Sequence, residues 1–257
     1  MLQLHSLTTG YAHRVVSRGL TAHLPAASLT ALVGKNGAGK STLLQTLMQR
    51  LRPLSGAVIV QGEELSQLTP KRLAQTISVV LTQRVASAYI TVRELVALGR
   101  TPYTSFSGKL TAADHAIVEQ ALTSLSLQPL AHRAIHTLSD GEAQRAMIAK
   151  ALVQQTPIIL LDEPTAYLDY PSKVAMFMQL RRLAHQEGKT ILLSTHDLEL
   201  ALRLCDRIWM LSPESGLLEG TPADFAENKL LDKHFSSDLL QFSTQQILNY
   251  SPLTPQA

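Results

Sequence analysis

The segment from residue 34 to residue 41 carries the residue types that proteins use to bind phosphate. It reads Gly34-Lys-Asn-Gly-Ala-Gly-Lys-Ser41 and matches the pattern G-x-x-x-x-G-K-S, between an apolar run and a helical pattern. Glycines let backbone N–H groups surround phosphate oxygens, and the positive end of the following helix adds to their effect. The motif predicts that Lys40 binds the β- and γ-phosphates of a nucleotide and that the Ser41 hydroxyl ligates Mg²⁺. The residues predicted to contact the nucleotide here are Gly34, Lys35, Asn36, Gly37, Ala38, Gly39, Lys40, Ser41 and Thr42.

Two carboxylates, Asp162 and Glu163, follow an apolar run that is long enough for a buried strand. Successive side chains of a strand point to opposite faces, so the two acids need not share a role. Asp162 is placed to steady the Mg²⁺ shell, and Glu163 to orient the attacking water or accept its proton. Acids at a strand end can also be structural caps, but the phosphate loop upstream favours a hydrolytic site.

Short segments rich in β-formers alternate with helical patterns, which predicts an α/β fold around a mostly parallel sheet. Strands are predicted at residues 28–33, 57–61, 77–81, 158–162, 190–194 and 207–211, and helices at residues 40–51, 141–154 and 171–187. The early strands at 2–7 and 19–24 have no helix between them and are predicted to form an antiparallel edge. The helical patterns at 91–99, 111–127 and 141–154 predict a helical lobe inserted into the sheet.

The chain is predicted to be one domain, residues 1–257. Its core is expected at about 1–84 and 156–220, its helical lobe at about 85–155 and a short C-terminal extension at about 221–257. No window approaches the roughly 20 apolar residues of a membrane-spanning helix. The N-terminus lacks the features of a secretory signal, so the protein is expected to stay in the cytoplasm.

The distribution of charge argues against nucleic acid as a partner. The net charge of +3 arises from 23 basic and 20 acidic side chains that are scattered along the chain rather than gathered in blocks. His132 and His136 could share one helical face, but the sequence offers no third ligand nearby, so a metal site is not predicted there.

Five further motifs follow one another in an order that resembles the ABC ATPases, over about residues 2–220. The segment Leu138-Ser-Asp-Gly-Glu142 opens a helix and is similar to the signature motif of that family. The others are Tyr11 at the adenine-stacking position, Gln83 in the Q-loop, Tyr167-Leu-Asp169 in the D-loop and His196 as the switch histidine. The resemblance implies a P-loop NTPase core, with ATP and Mg²⁺ as cofactors.

The resemblance also implies a head-to-tail homodimer in which each site is completed by the second copy. Ser139 and Gly141 would contact the γ-phosphate that the partner subunit binds. His196 would hold the γ-phosphate, Gln83 would ligate Mg²⁺ or water, and Asp169 would link the two sites. The sequence departs from the family at Asp140, where glycine is usual, and at Tyr167, where smaller residues are common.

A narrower resemblance concerns Thr91-Val-Arg-Glu-Leu-Val-Ala-Leu-Gly-Arg-Thr-Pro-Tyr103, which is similar to a stretch of the importers for iron-siderophore, haem and cobalamin. It implies polytopic membrane permease subunits as partners, a soluble substrate-binding protein acting indirectly, and a peripheral position at the cytoplasmic face of the inner membrane. Residues 84–103 are predicted to form the groove for a permease helix, with Tyr89, Arg100 and Tyr103 as docking side chains or, alternatively, as packing inside the lobe.

Other functions within the family stay open at this point. They are another import system, a non-transport ABC ATPase of the DNA-repair or translation type, and a scaffold that binds ATP without turnover. Only about 97 residues separate Ser41 from Ser139, too few for the coiled coil of the repair type together with the lobe. The single phosphate loop argues against the translation type, and the intact Lys40, Asp162, Glu163 and His196 argue against the scaffold.

Overall fold

The computed structural model describes residues 1–81, 89–105, 108–213 and 215–229, together with Ile247. These residues form two compact units. Unit 1 comprises Met1–Gln67 and the chain from Leu180 onward, and unit 2 comprises Leu68–Gln179. The predicted boundary at residues 84 and 85 and most of the predicted C-terminal extension lie outside the described residues, so the division into core, lobe and extension stays a prediction.

The first part of unit 1 builds an antiparallel sheet and the helix that follows the phosphate loop. Its elements are β1 (Leu2–Tyr11), β2 (Arg14–Leu24), β3 (Leu29–Val33), α1 (Lys40–Leu47), β4 (Ser55–Val60) and β5 (Glu63–Glu64). Strands β2, β1, β4 and β5 form one sheet in that order, and all of its pairs are antiparallel. The predicted antiparallel edge is therefore present. It also includes β4, which was predicted to be a strand of the parallel sheet.

Unit 2 is mainly helical, with one parallel pair of strands. Its elements are α2 (Pro70–Thr76), β6 (Ile77–Val80), α3 (Val92–Ala97), a 3-10 helix (Leu98–Tyr103), α4 (Ala112–Ser124), α5 (Asp140–Val153), β7 (Ile158–Leu161) and α6 (Tyr170–Gln186), whose last turns belong to unit 1. Strands β6 and β7 pair in parallel, with Ile77 opposite Ile158. Helices α3, α4 and α5 all begin with a capping box, in which a serine or threonine and an acid three residues later satisfy each other's backbone N–H.

The chain returns to unit 1 through β8 (Thr190–Ser194), α7 (Leu198–Leu204), β9 (Arg207–Ser212), β10 (Gly216–Gly220) and α8 (Pro222–Glu227). Strand β3 lies between β8 and β9 and is parallel to both, and β10 pairs antiparallel with β9. Every residue of β3 and β8 is buried, as expected for parallel strands covered on both faces. The predicted parallel sheet is thus confirmed, whereas the short elements β5, α2, α7, β10 and α8 were not predicted.

Candidate functional site

The phosphate loop joins β3 to α1 in unit 1, as its sequence predicts. Its shape requires glycine at two positions. A Cβ atom on Gly34 would lie 2.3 Å from the carbonyl oxygen of Leu211 in β9. Gly39 caps α1 with a φ of 103°, and a Cβ there would lie 2.8 Å from Ser17 Oγ. The backbone can therefore pass close to β2 and β9 while it presents the N-terminal N–H groups of α1, which have no partner within the helix.

Lys40 is held inside this loop by main-chain oxygens. Its ammonium group donates hydrogen bonds to the carbonyl of Gly34 at 2.8 Å and to that of Lys35 at 3.3 Å. The side chain is buried, whereas Ser41 beside it is exposed and Thr42 is buried in the first turn of α1. A buried positive charge enclosed by backbone dipoles is a suitable partner for the anionic oxygens of a polyphosphate.

His196 and Tyr11 lie on elements that border the phosphate loop. In the parallel register Leu32 of β3 pairs with Ser194 of β8, and the N–H of Thr195 donates to the carbonyl of Leu32 at 3.2 Å. The loop from Gly34 and the segment carrying the exposed His196 therefore leave the same end of the sheet side by side. Tyr11 is 49% exposed at the tip of the β1–β2 hairpin, whose second strand contacts Gly39.

The acidic pair follows β7 in unit 2. The N–H of Asp162 donates to the carbonyl of Val80 at 2.9 Å, which extends the pairing of β7 with β6 by one residue. Glu163 has a φ of 47°, a left-handed conformation that is strained for a residue with a side chain. Such strain is concentrated at functional sites. Both carboxylates are partly exposed, so they are accessible at the end of a fully buried strand.

The turn after Glu163 leads to Asp169, which immediately precedes α6. Asp169 Oδ1 accepts the N–H of Ser172 at 3.1 Å. Hydrogen bonds from Ser172 hold the pKa of the Asp169 carboxyl below its ordinary value. Tyr167 is 60% exposed and Tyr170 is 50% exposed, on either side of Leu168 and Asp169. This turn therefore combines a charged cap with two accessible aromatic rings.

Ser139 is the N-cap of α5 and is exposed. Its hydroxyl accepts the N–H of Glu142, and the Glu142 carboxylate accepts the backbone N–H of Ser139 at 2.8 Å. First the backbone N–H and then the hydroxyl of Ser139 lower the pKa of Glu142. A Cβ on Gly141 would meet Leu168 at 3.7 Å, an ordinary contact. In unit 2 the signature segment and the turn before Asp169 are thus neighbours.

A family model described as ABC transporter matches residues 17–166. This chain belongs to the ABC transporter family. This ABC protein is 38% identical over 232 residues to the achromobactin transport ATP-binding protein CbrD of Dickeya dadantii, an alignment that covers 90% of this chain and 86% of the relative. It is 35% identical over 237 residues to the iron(3+)-hydroxamate import ATP-binding protein FhuC of Bacillus subtilis, an alignment that covers 92% of this chain and 88% of FhuC. It is therefore an ATP-binding, ATP-hydrolysing subunit of this family.

Solved structures of ABC proteins share its fold. An inward-facing conformation of an ABC transporter assigned to the metal-chelate type matches with a TM-score of 0.79 and 27% identity, covering 91% of this chain and 88% of that one. A bacterial ABC transporter cassette solved as a dimer matches with a TM-score of 0.73 and 26% identity, covering 86% of this chain and 98% of that one. The P-loop NTPase fold predicted from the sequence is therefore confirmed.

Part of the predicted docking segment of this ABC protein lies outside the described residues, including Arg84, and so does Gln83 of the Q-loop. Tyr89 is 91% exposed, as a docking side chain requires. Arg100 is 5% exposed and pairs with Asp114 inside unit 2, so of its two predicted roles docking is wrong and packing in the interior is correct. Tyr103 is 39% exposed, and its hydroxyl donates to the carbonyl of Gln154 at 2.9 Å.

Two further features of the ABC protein were not identified from its sequence. Glu142 binds the predicted phosphate ligand Ser139, and the pattern Ser-x-x-Glu could have indicated this capping box. The buried pair of Arg100 and Asp114 had a weaker signal, a Thr-x-x-Asp box at residues 111–114. Within the described ranges, no helix is both long and apolar enough to cross a bilayer.

Proposed function

We propose that this ABC protein uses ATP hydrolysis to drive the uptake of a metal chelate through partner membrane subunits. An iron-siderophore complex is the first candidate cargo, and haem and cobalamin are the alternatives. The proposal depends mainly on one observation. Over about nine-tenths of its length, this chain is similar to ATP-binding proteins named for achromobactin transport and iron(3+)-hydroxamate import. The likeness to a structure assigned to the metal-chelate type supports the same cargo class.

The roles proposed within the nucleotide site follow from the chemistry of each side chain. Lys40 binds the β- and γ-phosphates, the ring of Tyr11 stacks on adenine, and His196 holds the γ-phosphate. Glu163 orients the attacking water and accepts its proton. The exposed hydroxyl of Ser41 and the partly exposed carboxylate of Asp162 are hard oxygen donors that fit Mg²⁺, with Gln83 as a further proposed ligand. Mg²⁺, when bound, neutralises charge on the phosphates.

The proposed assembly is a head-to-tail homodimer with two shared sites. Ser139 is exposed at the N-terminus of α5, where backbone N–H groups favour an anion, so it is accessible to a phosphate bound to the second copy. Asp169 would link the two sites across the seam. A related cassette solved as a dimer supports this arrangement. The permease subunits would bind unit 2, a soluble binding protein would deliver the cargo, and the protein would lie at the cytoplasmic face of the inner membrane.

Reconstitution tests the proposal directly. The tagged chain is purified together with any polytopic membrane protein that binds it, and the complex is placed in vesicles with ATP inside or outside. Uptake of a radiolabelled ferric siderophore, of haem and of cobalamin is then compared, with the Lys40→Ala protein as the inactive control. ATP-dependent uptake of one chelate is the expected result. ATP hydrolysis without a membrane partner and without uptake of any of the three would refute the proposal.

A further inference from the structure

One charged side chain, Arg100, connects three elements of unit 2 although it lies in the interior. Its Nε donates to Asp114 Oδ1 at 2.8 Å, at the beginning of α4. Its Nη1 donates to the carbonyl of Val153 at 2.8 Å and to Gln155 Oε1 at 3.0 Å, at the end of α5. The guanidinium also lies 4.1 Å from the centre of the Tyr103 ring. We call the contacts of Arg100 with Asp114, Val153 and Gln155 the α5 joint.

The backbone around Arg100 is packed directly against the last turn of α5. A Cβ on the preceding residue, Gly99, would lie 2.1 Å from the carbonyl oxygen of Lys150 and 2.5 Å from Val153 Cγ2. The hydroxyl of Tyr103 donates a hydrogen bond to the carbonyl of Gln154, the C-cap of α5. The last carbonyls of a helix have no partner within it, so these donors act as its C-terminal cap. The segment Leu98–Tyr103 and the end of α5 are therefore joined by both hydrogen bonds and close packing.

The opposite end of α5 carries Ser139, the residue proposed to bind phosphate. The helix has 14 residues and is about 21 Å long, at 1.5 Å per residue. Regular helices bend little, so a displacement of the capped end reaches Ser139. The segment at the joint also has exposed surface, because Leu98 is 52% exposed and Tyr103 is 39% exposed.

Stability alone is a weak reason for this arrangement. Burying a guanidinium and a carboxylate carries a desolvation cost that can exceed their attraction, and well-packed apolar residues often replace such a pair without loss. In some proteins a buried ion pair does, however, select one geometry, because breaking the pair leaves a buried charge without a partner. The α5 joint is therefore better suited to holding the segment Leu98–Tyr103 and α5 in one relative position than to stabilising the fold.

We propose that Arg100 is a positioning residue that locks the segment Leu98–Tyr103 to α5, so that a membrane subunit bound at this segment moves Ser139 and thereby controls ATP turnover. This inference rests on the proposed function, since it requires a membrane partner on unit 2. In this proposal Arg100 acts only through its contacts with α4 and α5.

The test compares Arg100→Met, which removes the joint, with Arg100→Lys, which keeps the charge but loses the planar fork. Arg182→Met is the control, because Arg182 is an exposed arginine outside the predicted docking segment, and its hydrogen-bond partner Gln186 lies on the same helix, α6. The isolated Arg100→Met protein should keep the wild-type KM for ATP and its basal kcat. In vesicles, transport and chelate-stimulated hydrolysis per assembled complex should fall roughly tenfold, in the range of ordinary coupling free energies. Arg100→Lys should recover part of the loss, and Arg182→Met should behave as wild type.

Two results would contradict the proposed role of Arg100. One is normal transport by Arg100→Met. The other is a parallel fall in thermal stability, isolated hydrolysis and transport in both Arg100 variants, since that pattern belongs to a residue that only stabilises the fold.

A second measurement needs no membrane partner and so separates the joint from the proposed function. In a Glu163→Gln background that retains ATP, amide hydrogen exchange is followed with and without nucleotide. ATP should slow exchange at residues 139–143 and also at 98–103, whereas after Arg100→Met only 139–143 should be protected. The inference is contradicted if ATP protects both segments whether or not Arg100 is changed to Met. It is also contradicted if ATP protects only residues 139–143 in the protein that retains Arg100. If no membrane partner or cargo is found, the proposed function fails while this result still decides the role of Arg100.

Discussion

The hydroxyl of Ser139 donates a hydrogen bond to Glu142 Oε2 at 3.0 Å, within the first turn of the same helix. The proton that would serve a γ-phosphate is therefore engaged by a carboxylate, and hydrogen bonds from Ser139 lower the pKa of that carboxyl. Ser139 can bind phosphate only by exchanging this partner. The negative charge of Glu142, together with that of Asp140, also opposes the approach of an anion to the N-terminus of α5.

Glu142→Gln should therefore strengthen the ATP-dependent dimer. Glutamine keeps the capping geometry but removes the charge, so the dimer constant should improve by roughly two- to fivefold, as expected for one charge at a helix terminus. Light scattering across a protein dilution series, with ATP and the Glu163→Gln change present, measures this constant. Glu187→Gln, at an exposed position after α6, is the control and should change nothing. Weaker association after Glu142→Gln would contradict the charge argument.

Glu163→Gln should abolish turnover and preserve binding. The amide keeps the size of the side chain but cannot accept a proton from water, so hydrolysis should fall by roughly a hundredfold or more. ATP affinity, measured by equilibrium dialysis, should stay within error of wild type, and the ATP-bound dimer should accumulate on a sizing column. Hydrolysis near the normal rate in this variant would remove Glu163 from the catalytic role.

Mixed dimers test whether the sites are shared. Ser139→Arg and Lys40→Ala should each be inactive when pure, because each lesion falls in both composite sites. In a mixed dimer one site carries both lesions and the other carries none, so hydrolysis should return on mixing. Differently tagged subunits allow the mixed species to be isolated before the assay. Persistent inactivity of the isolated mixed dimer would argue against independent composite sites.

Acid should selectively weaken the contribution of Asp114 to stability. Hydrogen bonds from Thr111, then the contact with Arg100, lower the pKa of Asp114 from 3.8 to about 2. A carboxyl whose pKa is lower in the folded state stabilises that state above its ordinary pKa and loses this effect as the pH falls. Asp114→Asn should therefore be less stable than wild type at pH 7, and the difference should shrink as the pH falls from 3.8 toward about 2. Urea unfolding at a series of pH values measures the difference, and a constant difference would contradict the argument.

Tyr89→Ala and Tyr103→Ala should separate docking from packing. Tyr89 is 91% exposed, so its loss should leave the unfolding temperature unchanged while permease binding weakens, by roughly tenfold or more if it is an interface hot spot. Tyr103 also binds the carbonyl of Gln154, so its loss should lower stability as well. Differential scanning calorimetry and co-purification yield are the two measurements. Undiminished permease binding by both variants would place the membrane contact elsewhere.

The sequence predicted the features that depend on neighbours along the chain. The phosphate loop is defined by residues 34–41 alone, and the acids at 162 and 163 end a strand whose apolar run is continuous. Short strands were located to within a few residues for the same reason, since burial on both faces gives an unbroken apolar run. The partner of β4 was missed, because pairing with β1 depends on contacts about fifty residues apart.

The environment of Arg100 could not be read from its neighbours. A basic residue next to Gly99, Pro102 and Tyr103 has the composition of a docking surface, and its burial arises from Val153 and Gln155, more than fifty residues away. The positive φ of Glu163 was equally hidden, because glutamate has no preference for that conformation. Both features are imposed by tertiary contacts, which a local pattern does not contain.

The position of β3 has a consequence for synthesis of the protein. All five of its residues are buried between β8 and β9, yet the last of these neighbours ends only at Ser212. At roughly 5–20 residues per second on the ribosome, β3 waits on the order of ten to thirty seconds for its first parallel neighbour. During that time this apolar strand of the nascent chain lacks its neighbours on both edges, and unpaired strand edges are prone to aggregation. The phosphate loop, attached to the end of β3, therefore reaches its final shape late in the life of the nascent chain.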